Sequence, residues 1–284
     1  MNQGIWDSDG RPLDPQRRRY LQLISAAVAA ANVVVPAKAI GAEPQPAKPT
    51  TGSADRVSPQ AILVAGATGR TGKQLVVNLQ RQGHRIRGLA RNVEAARTEL
   101  PGVEWVAADL KKPESLGDIS RGIDRIVFAV GSNTTKDPSN LPQKVELGGV
   151  SALVDAGKST GVKHFVMMSS GGVGHADPAA TTGFAGLLRY KWDAENYLRR
   201  SGLSYTIVRP GSLTDEPAGR NHIALCQGDP VWANLATISR GDVALVIARA
   251  LFDPAASRKT FEAFNAVTHD AEGWKSAFAK LAAD

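Results

Sequence analysis

The chain has 284 residues, enough for one large or two small domains, and its content of 43% hydrophobic and 21% charged residues is typical of a globular protein. The formal charge of +7 favours an anionic partner, but the basic residues are scattered without an aromatic-interleaved basic helix or a zinc-finger spacing, which argues against nucleic acid binding. The single cysteine, Cys226, excludes an internal disulfide, and the five widely spaced histidines form no metal-site pattern.

Residues 1–42 have the features of an export signal. Three consecutive arginines (17–19) precede a mildly apolar, alanine-rich run over 21–35 that is too short to span a bilayer comfortably, and small-residue cleavage sites follow at Ala39 and Ala42. Paired arginines before two hydrophobic residues resemble the bacterial twin-arginine signal, whose export machinery carries proteins already folded. We predict export to the periplasm with no stable membrane anchor after cleavage. If the segment is instead a basic surface helix, the protein is cytoplasmic.

A strand, a tight turn and a helix are predicted where the apolar run 61–65 is followed by Gly66, Gly69 and Gly72. Gly66 would make the turn, Gly69 would let the backbone approach a diphosphate, and Gly72 would let the helix pack closely against the strand. The diphosphate would lie at the helix N-terminus, where unpaired N–H groups and the helix dipole favour an anion. A purely structural strand-to-helix turn is the alternative.

The second predicted strand, over residues 84–91, ends in an unusual residue. An NAD site would end it with an acidic residue that holds the ribose 2′-hydroxyl, whereas this chain has Arg91 there. A guanidinium forms paired hydrogen bonds with a 2′-phosphate, so the residue favours NADP over NAD. Arg70, in the glycine turn, is predicted to reach the same phosphate. The alternative is that both arginines are solvated loop charges.

The rest of the chain alternates strand and helix. Further apolar runs occur at 103–108, 125–130, 164–168 and 205–208, with helical stretches between them at 144–158 and 187–200. Near-continuous apolar strands separated by helices predict an α/β, Rossmann-type, doubly wound parallel sheet. Only a short helix over 272–282 remains at the end, so we predict a single domain over 60–284 with no large substrate domain. A flexible, proline-rich linker over 43–59 precedes it.

Polar or small residues follow several of the predicted strands, at the sheet edge where ligands of such folds bind. Asp109 follows the third strand and would hold the adenine amine or cap the next segment. Gly131 follows the fourth strand, where a small residue would let the cofactor pass. Ser169 and Ser170 follow the fifth strand, which places hydroxyl groups where the nicotinamide and the substrate should meet.

These segments together resemble the atypical NAD(P)H-binding branch of the short-chain dehydrogenase/reductase superfamily, which includes NmrA-like and biliverdin reductase B-like proteins. The resemblance runs from about residue 62 to 265, and its markers lie at 66–72, 109–110, 165–170, 208–211, 213–217 and 238–244. It implies a set of nucleotide-binding residues that lie mostly in the glycine turn and at the strand ends. They are Gly66, Thr68, Gly69, Arg70, Thr71, Gly72, Arg91, Asp109, Leu110, Gly131 and Pro210.

The resemblance also implies a catalytic lysine, but the usual proton donor is missing. Enzymes of this family place a tyrosine four residues before the lysine that holds the nicotinamide ribose, and here the lysine is Lys191 but the tyrosine position is Leu187. Tyr190 lies about 100° round the helix from Lys191 and does not replace it. Ser169 or Ser170 would then meet the substrate. Quinones, flavins and linear tetrapyrroles, which need no strong acid, fit better than simple ketones. The alternative is a regulator that binds NADP(H) without turnover.

Residues 210–238 are predicted to form a loop over the nicotinamide. His222 is the one residue in this segment that could act as an acid near neutral pH. A lone histidine in a loop is more often solvated than catalytic.

Overall fold

The computed structural model describes residues 59–135, 137–230, 236–266 and 273–284. The predicted signal peptide (1–42), and the predicted linker up to residue 58, lie outside these ranges. The described residues belong to one unit that begins at Val57. None of their helices combines the length and the apolar character needed to cross a membrane.

Ten strands form between residues 61 and 266: β1 (Ala61–Ala65), β2 (Arg85–Ala90), β3 (Glu104–Ala107), β4 (Arg125–Phe128), β5 (His164–Met168), β6 (Tyr205–Pro210), β7 (Ser212–Thr214), β8 (His222–Cys226), β9 (Thr237–Ser239) and β10 (Lys259–Ala266). Eight of them form one sheet in the order β3-β2-β1-β4-β5-β6-β10-β8, while β7 and β9 pair separately. Every neighbouring pair is parallel except β10 and β8. The predicted Rossmann-type sheet and the single α/β domain are confirmed.

The described helices are α1 (Arg70–Arg81), α2 (Val93–Glu99), α3 (Gly149–Thr160), α4 (Gly183–Arg200), α5 (Arg240–Phe252) and α6 (Trp274–Ala277). The stretch predicted as one helix over 144–158 is a π-helical turn, Gln143–Gly148, that continues into α3. Near the chain end, α6 and a 3₁₀ turn, Phe278–Lys280, form in place of the predicted helix over 272–282.

The sheet is buried on both faces because its central strands alternate between two cores. In β1, Ile62 and Val64 pack with α1 and α5, whereas Leu63 and Ala65 pack with α3 and α4 on the other face. All five β1 residues are buried. A strand covered on both sides has no polar face, which explains the unbroken apolar run that identified it.

The sequence segment 210–238 is not a simple loop over the site. It contains β7, β8 and the start of β9, and β8 pairs with β10 in antiparallel register, with Ala224 opposite Phe264. His222 therefore lies on an edge strand opposite Ala266. Glu262 and Asn265 interrupt the apolar run of β10, so it lacks the pattern of a doubly covered strand. The apolar run of β8 covers only the four residues 223–226.

Candidate functional site

The glycine turn joins β1 to α1 at the carboxyl edge of the sheet. Gly66 has a φ of +89°, and a Cβ there would lie 2.8 Å from the Ala129 carbonyl carbon, so only glycine fits. The Gly69 N–H donates to the Gly66 carbonyl at 2.8 Å, and a Cβ on Gly72 would overlap that same carbonyl. The turn is therefore packed as tightly as the sequence predicts.

The first turn of α1 has the features of an anion site. The helix begins after Gly69, which has no side chain to cap it, and the first turn has no acidic residue. The N–H groups of this helix end and the helix dipole thus face the turn without a carboxylate from the helix's own first turn. Thr68 is exposed beside them, while Thr71 is buried. This cradle fits a dinucleotide diphosphate.

Arg70 is paired with a carboxylate near this helix end. Its guanidinium lies 2.9 Å from Asp215, which also pairs with Arg240 at 2.7 Å. Both Arg70 and Asp215 are largely exposed. Arg70 is the first residue of α1, so a phosphate bound at this helix end would compete with Asp215 for its guanidinium.

Beyond the end of β2, Arg91 and Lys111 both form ion pairs with the carboxylate of Asp137. Asp137 lies 3.2 Å from Arg91 and 3.1 Å from Lys111. Hydrogen bonds from Ser139 and Lys111 hold the pKa of Asp137 well below its ordinary value. The sequence analysis did not identify Lys111, although this residue lies only two positions after Asp109 in the turn that follows β3. A site with two cations can bind a phosphate dianion better than Arg91 alone.

The remaining predicted nucleotide residues differ in what they do. Asp109 accepts a hydrogen bond from the Lys111 N–H at 3.0 Å, so it caps its own turn, as the alternative interpretation allowed. Leu110 packs against Gly149, where a Cβ would lie 3.2 Å from it. A Cβ on Gly131 would meet nothing within 4 Å. Pro210 ends β6 and accepts from the Gly171 N–H at 2.9 Å.

The two serines after β5 lie in different environments. Ser169 is 4% exposed, and its Oγ has no hydrogen-bond partner among the described residues. The Ser170 hydroxyl donates to the Gly171 carbonyl at 3.1 Å. A buried hydroxyl without a partner is costly, so an unpaired one at a sheet edge where ligands bind is a candidate contact for a ligand.

Lys191 is buried on α4 and forms an ion pair that the sequence did not predict. Its Nζ donates to Glu146 Oε2 at 2.9 Å, and Glu146 Oε1 accepts from the Ser132 N–H at 2.7 Å. Glu146 lies in the π-helical turn before α3. Its spacing from Val150 and Leu153 puts it on the apolar stripe of that helix, a signal that would have marked it as buried.

A second charged cluster lies one helical turn further along α4. Arg209 donates two hydrogen bonds to Glu195, at 3.0 and 2.6 Å, and lies 3.3 Å from Glu262 and 3.5 Å from Asp229. Glu195 also pairs with Arg199 at 2.9 Å. α4 thus presents charges of alternating sign at 191, 195 and 199 toward the interior.

Asp229 connects this charged cluster to the segment that follows the two serines. It accepts a hydrogen bond from the Gly172 N–H at 2.7 Å and another from the Gly174 N–H. The segment after β5 is therefore fixed to the interior by charge-assisted hydrogen bonds. Within the described ranges, no group of three or more His, Cys, Asp or Glu residues is arranged to hold a metal ion.

Comparison with known proteins assigns this site to a family. Residues 66–254 match the model of the NAD(P)H-binding family. The chain belongs to this family. The match spans the glycine turn, Arg91 and Lys191, and it confirms the NAD(P)H-binding, Rossmann-type part of the predicted resemblance.

Several proteins of similar sequence can be aligned with most of this chain. An uncharacterised chloroplastic protein of Arabidopsis thaliana is 34% identical, over 79% of this chain and 84% of its own length. The uncharacterised sugar epimerase YhfK of Bacillus subtilis is 31% identical, over 75% of this chain and 98% of its own length. NAD(P)H azoreductase of Xenophilus azovorans is 30% identical, over 68% of this chain and 64% of its own length.

Solved structures agree on the fold. The oxidoreductase ylbE of Lactococcus lactis is 26% identical with a TM-score of 0.63, over 78% of this chain and 97% of its own. A short-chain dehydrogenase/reductase of Veillonella parvula, in complex with NADP, is 17% identical with a TM-score of 0.58, over 75% of this chain and 97% of its own. The protein is thus a Rossmann-type member of a family of NAD(P)H-binding oxidoreductases.

Proposed function

We propose that the protein is an NADP(H)-dependent reductase of small conjugated acceptors such as quinones, flavins or linear tetrapyrroles. The observation that carries the proposal is the glycine cradle at the start of α1. Two buried polar groups support it: the Lys191 ammonium, and the Ser169 hydroxyl, which has no hydrogen-bond partner among the described residues. The azoreductase relative, which is named for reduction with NAD(P)H, supports a reductase.

Within this site the residues have separate tasks. The α1 N-terminus and Arg70 bind the diphosphate, Lys191 holds the nicotinamide ribose, and the Ser169 or Ser170 hydroxyl contacts the acceptor. Bound NADPH supplies the hydride. Leu187 occupies the position of the usual acid, so the acceptor takes its proton from solvent or from a serine hydroxyl. Acceptors whose reduced anion is delocalised fit such a site, because they need little help from an enzymatic acid.

The choice of NADP rests on Arg91 and Lys111. Both approach Asp137 in the structure, and we propose that the 2′-phosphate displaces this carboxylate and takes both cations. NADP⁺ should then bind about tenfold more tightly than NAD⁺, measured by calorimetry. The preference should shrink in Lys111→Ala and disappear when Arg91 is also replaced by alanine, and equal affinities in the wild-type chain would contradict the assignment.

Turnover is tested by NADPH oxidation with a panel of acceptors. We expect reduction of at least one quinone, flavin or tetrapyrrole, with loss of activity in Lys191→Met, a variant that keeps the length of the side chain but not its charge. Efficient reduction of an aliphatic ketone would overturn the proposed substrate class. Tight NADP(H) binding without turnover would favour the alternative function, a regulator whose affinity for a protein partner depends on the oxidation state of the nucleotide.

We further propose that residues 1–42 direct export by the twin-arginine route. An exported enzyme has no supply of fresh NADPH, so a cofactor loaded in the cytoplasm and retained after export would fit this route. Replacing Arg18 and Arg19 with lysine should hold a fused reporter in the cytoplasm. Unchanged export of the double variant would contradict the twin-arginine assignment.

A further inference from the structure

Glu146 is fully buried, and both of its carboxylate oxygens accept hydrogen bonds. Oε2 accepts from Lys191 Nζ at 2.9 Å and Oε1 from the Ser132 N–H at 2.7 Å. Ser132 belongs to the segment after β4, whereas Lys191 belongs to α4. One carboxylate therefore joins two parts of the site that are distant in sequence.

This ion pair contributes little to the stability of the folded protein. Burying two charges has a desolvation cost that their attraction roughly offsets, so an apolar pair of similar volume would be about as stable. Glu146 also lies in a π-helical turn, Gln143–Gly148, rather than in the regular α3 that follows. Such turns are frequent at functional sites because they redirect a side chain. Both features indicate that the position of the carboxylate matters more than the energy of the pair.

We propose that Glu146 is a positioning residue that fixes the Lys191 ammonium for the nicotinamide ribose of NADP(H). The inference rests on the proposed function. An ammonium has three N–H donors, and Glu146 accepts from one of them, which leaves the others for ribose hydroxyls. A lysine side chain is long and flexible, so without its buried partner it would lose the direction that ribose binding needs. No other carboxylate in the described part of the chain is paired with Lys191.

The ion pair between Glu146 and Lys191 also affects which class of acceptor the site can reduce. In the family that the sequence resembles, the lysine charge acts on a neighbouring tyrosine, but here the corresponding residue is Leu187. Glu146 neutralises the charge of Lys191 instead. The ammonium is then left to bind the ribose rather than to stabilise a localised negative charge on the substrate, which agrees with a delocalised acceptor.

The experiment compares two ligands in the full chain. NADPH contains the nicotinamide ribose, whereas adenosine 2′,5′-bisphosphate lacks it and tests the adenosine end alone. In Glu146→Gln one amide oxygen replaces two carboxylate oxygens, so Lys191 and the Ser132 N–H cannot both keep their acceptor. We expect the Kd for NADPH to rise about tenfold while the Kd for the bisphosphate stays unchanged. In a Lys191→Met background, Glu146→Gln should have no further effect on NADPH binding.

Glu195→Gln is the matched control. Glu195 is equally buried and lies on the same helix as Lys191, but its partners are Arg209 and Arg199. This variant should lower the unfolding temperature without changing the ratio of the two Kd values. Glu146→Asp keeps the negative charge with a shorter reach, so its Kd ratio should fall between wild type and Glu146→Gln, and it provides the test if the glutamine variant does not fold.

A purely structural role for Glu146 predicts different results. Equal weakening of both ligands, an unchanged ratio, or an undiminished effect in the Lys191→Met background would each overturn the inference while leaving the proposed function intact. Failure of the wild-type chain to bind either ligand would instead refute the proposed function, and the inference with it.

Discussion

Replacing Gly72 with alanine should damage the nucleotide cradle through a single methyl group. A Cβ at this position would lie 2.8 Å from the Gly66 carbonyl carbon, whereas ordinary contacts begin at 3.4 Å. The helix and the turn must therefore separate by at least 0.6 Å. The clash involves backbone on both sides, so no side-chain rotation can relieve it.

The expected loss of stability follows from two opposing contributions. Overpacking of this kind costs about 1–3 kcal/mol, while alanine in a helix is favoured over glycine by about 1 kcal/mol. Because the overlap is with backbone, the overpacking cost should lie at the upper end of this range, and we expect Gly72→Ala to lower the free energy of unfolding by about 2 kcal/mol. Nucleotide affinity should fall further, because the displaced turn no longer aligns the N–H groups of α1.

Urea unfolding followed by tryptophan fluorescence gives the stability, and calorimetry gives the affinity for NADP⁺. Gly131→Ala is the control for stability, since a Cβ there would meet nothing within 4 Å. If Gly72→Ala unfolds at the same urea concentration as wild type and binds NADP⁺ equally well, the close approach of helix and strand has no function, and the reasoning about the turn is wrong.

Three further results are expected. Asp137→Asn should tighten NADP⁺ binding several-fold, because it removes the charge that competes for Arg91 and Lys111; equal or weaker binding by calorimetry would contradict this. Burial lowers the pKa of His164 from 6.5 to about 4, so between these values the unfolded chain binds a proton that the folded chain does not. The free energy of unfolding is thus retained above pH 6.5 and should fall by about 2 kcal/mol from pH 7 to pH 5 in urea titrations, and the same pH slope in His164→Gln would refute the assignment. Burial raises the pKa of the Cys226 thiol to about 12, so iodoacetamide should modify the native protein at pH 8 far more slowly than the unfolded protein; equal rates by mass spectrometry would argue against it.

The positions of the first six strands along the chain and the glycine turn could be predicted because their signals are local. A strand covered on both faces needs an unbroken apolar run, and β1, β4 and β5 each have one. The turn was found for the same reason, since three glycines at fixed spacing constrain a short piece of backbone. The candidate site residues could then be chosen because they follow the predicted strands, which requires no knowledge of long-range contacts.

The ion pairs were not predictable in the same way, because their partners are distant in sequence. Glu146 and Lys191 are 45 residues apart, and a glutamate in a helical stretch is usually solvated. Lys111 is one of 34 basic residues, and only the path of the segment after β4 brings Asp137 to it. β10 escaped notice because Glu262, which pairs with Arg209, interrupts its apolar run.

The alternating charges of α4 fix the rotation of that helix about its own axis. Lys191, Glu195 and Arg199 follow one another at intervals of four residues, and each has an oppositely charged partner. Moving the helix by one residue would turn all three by about 100° and leave buried charges without partners. Changes in length within the largely exposed segment 176–182 must therefore be absorbed before α4 begins. That segment can then differ in length while the helix that follows it keeps its register.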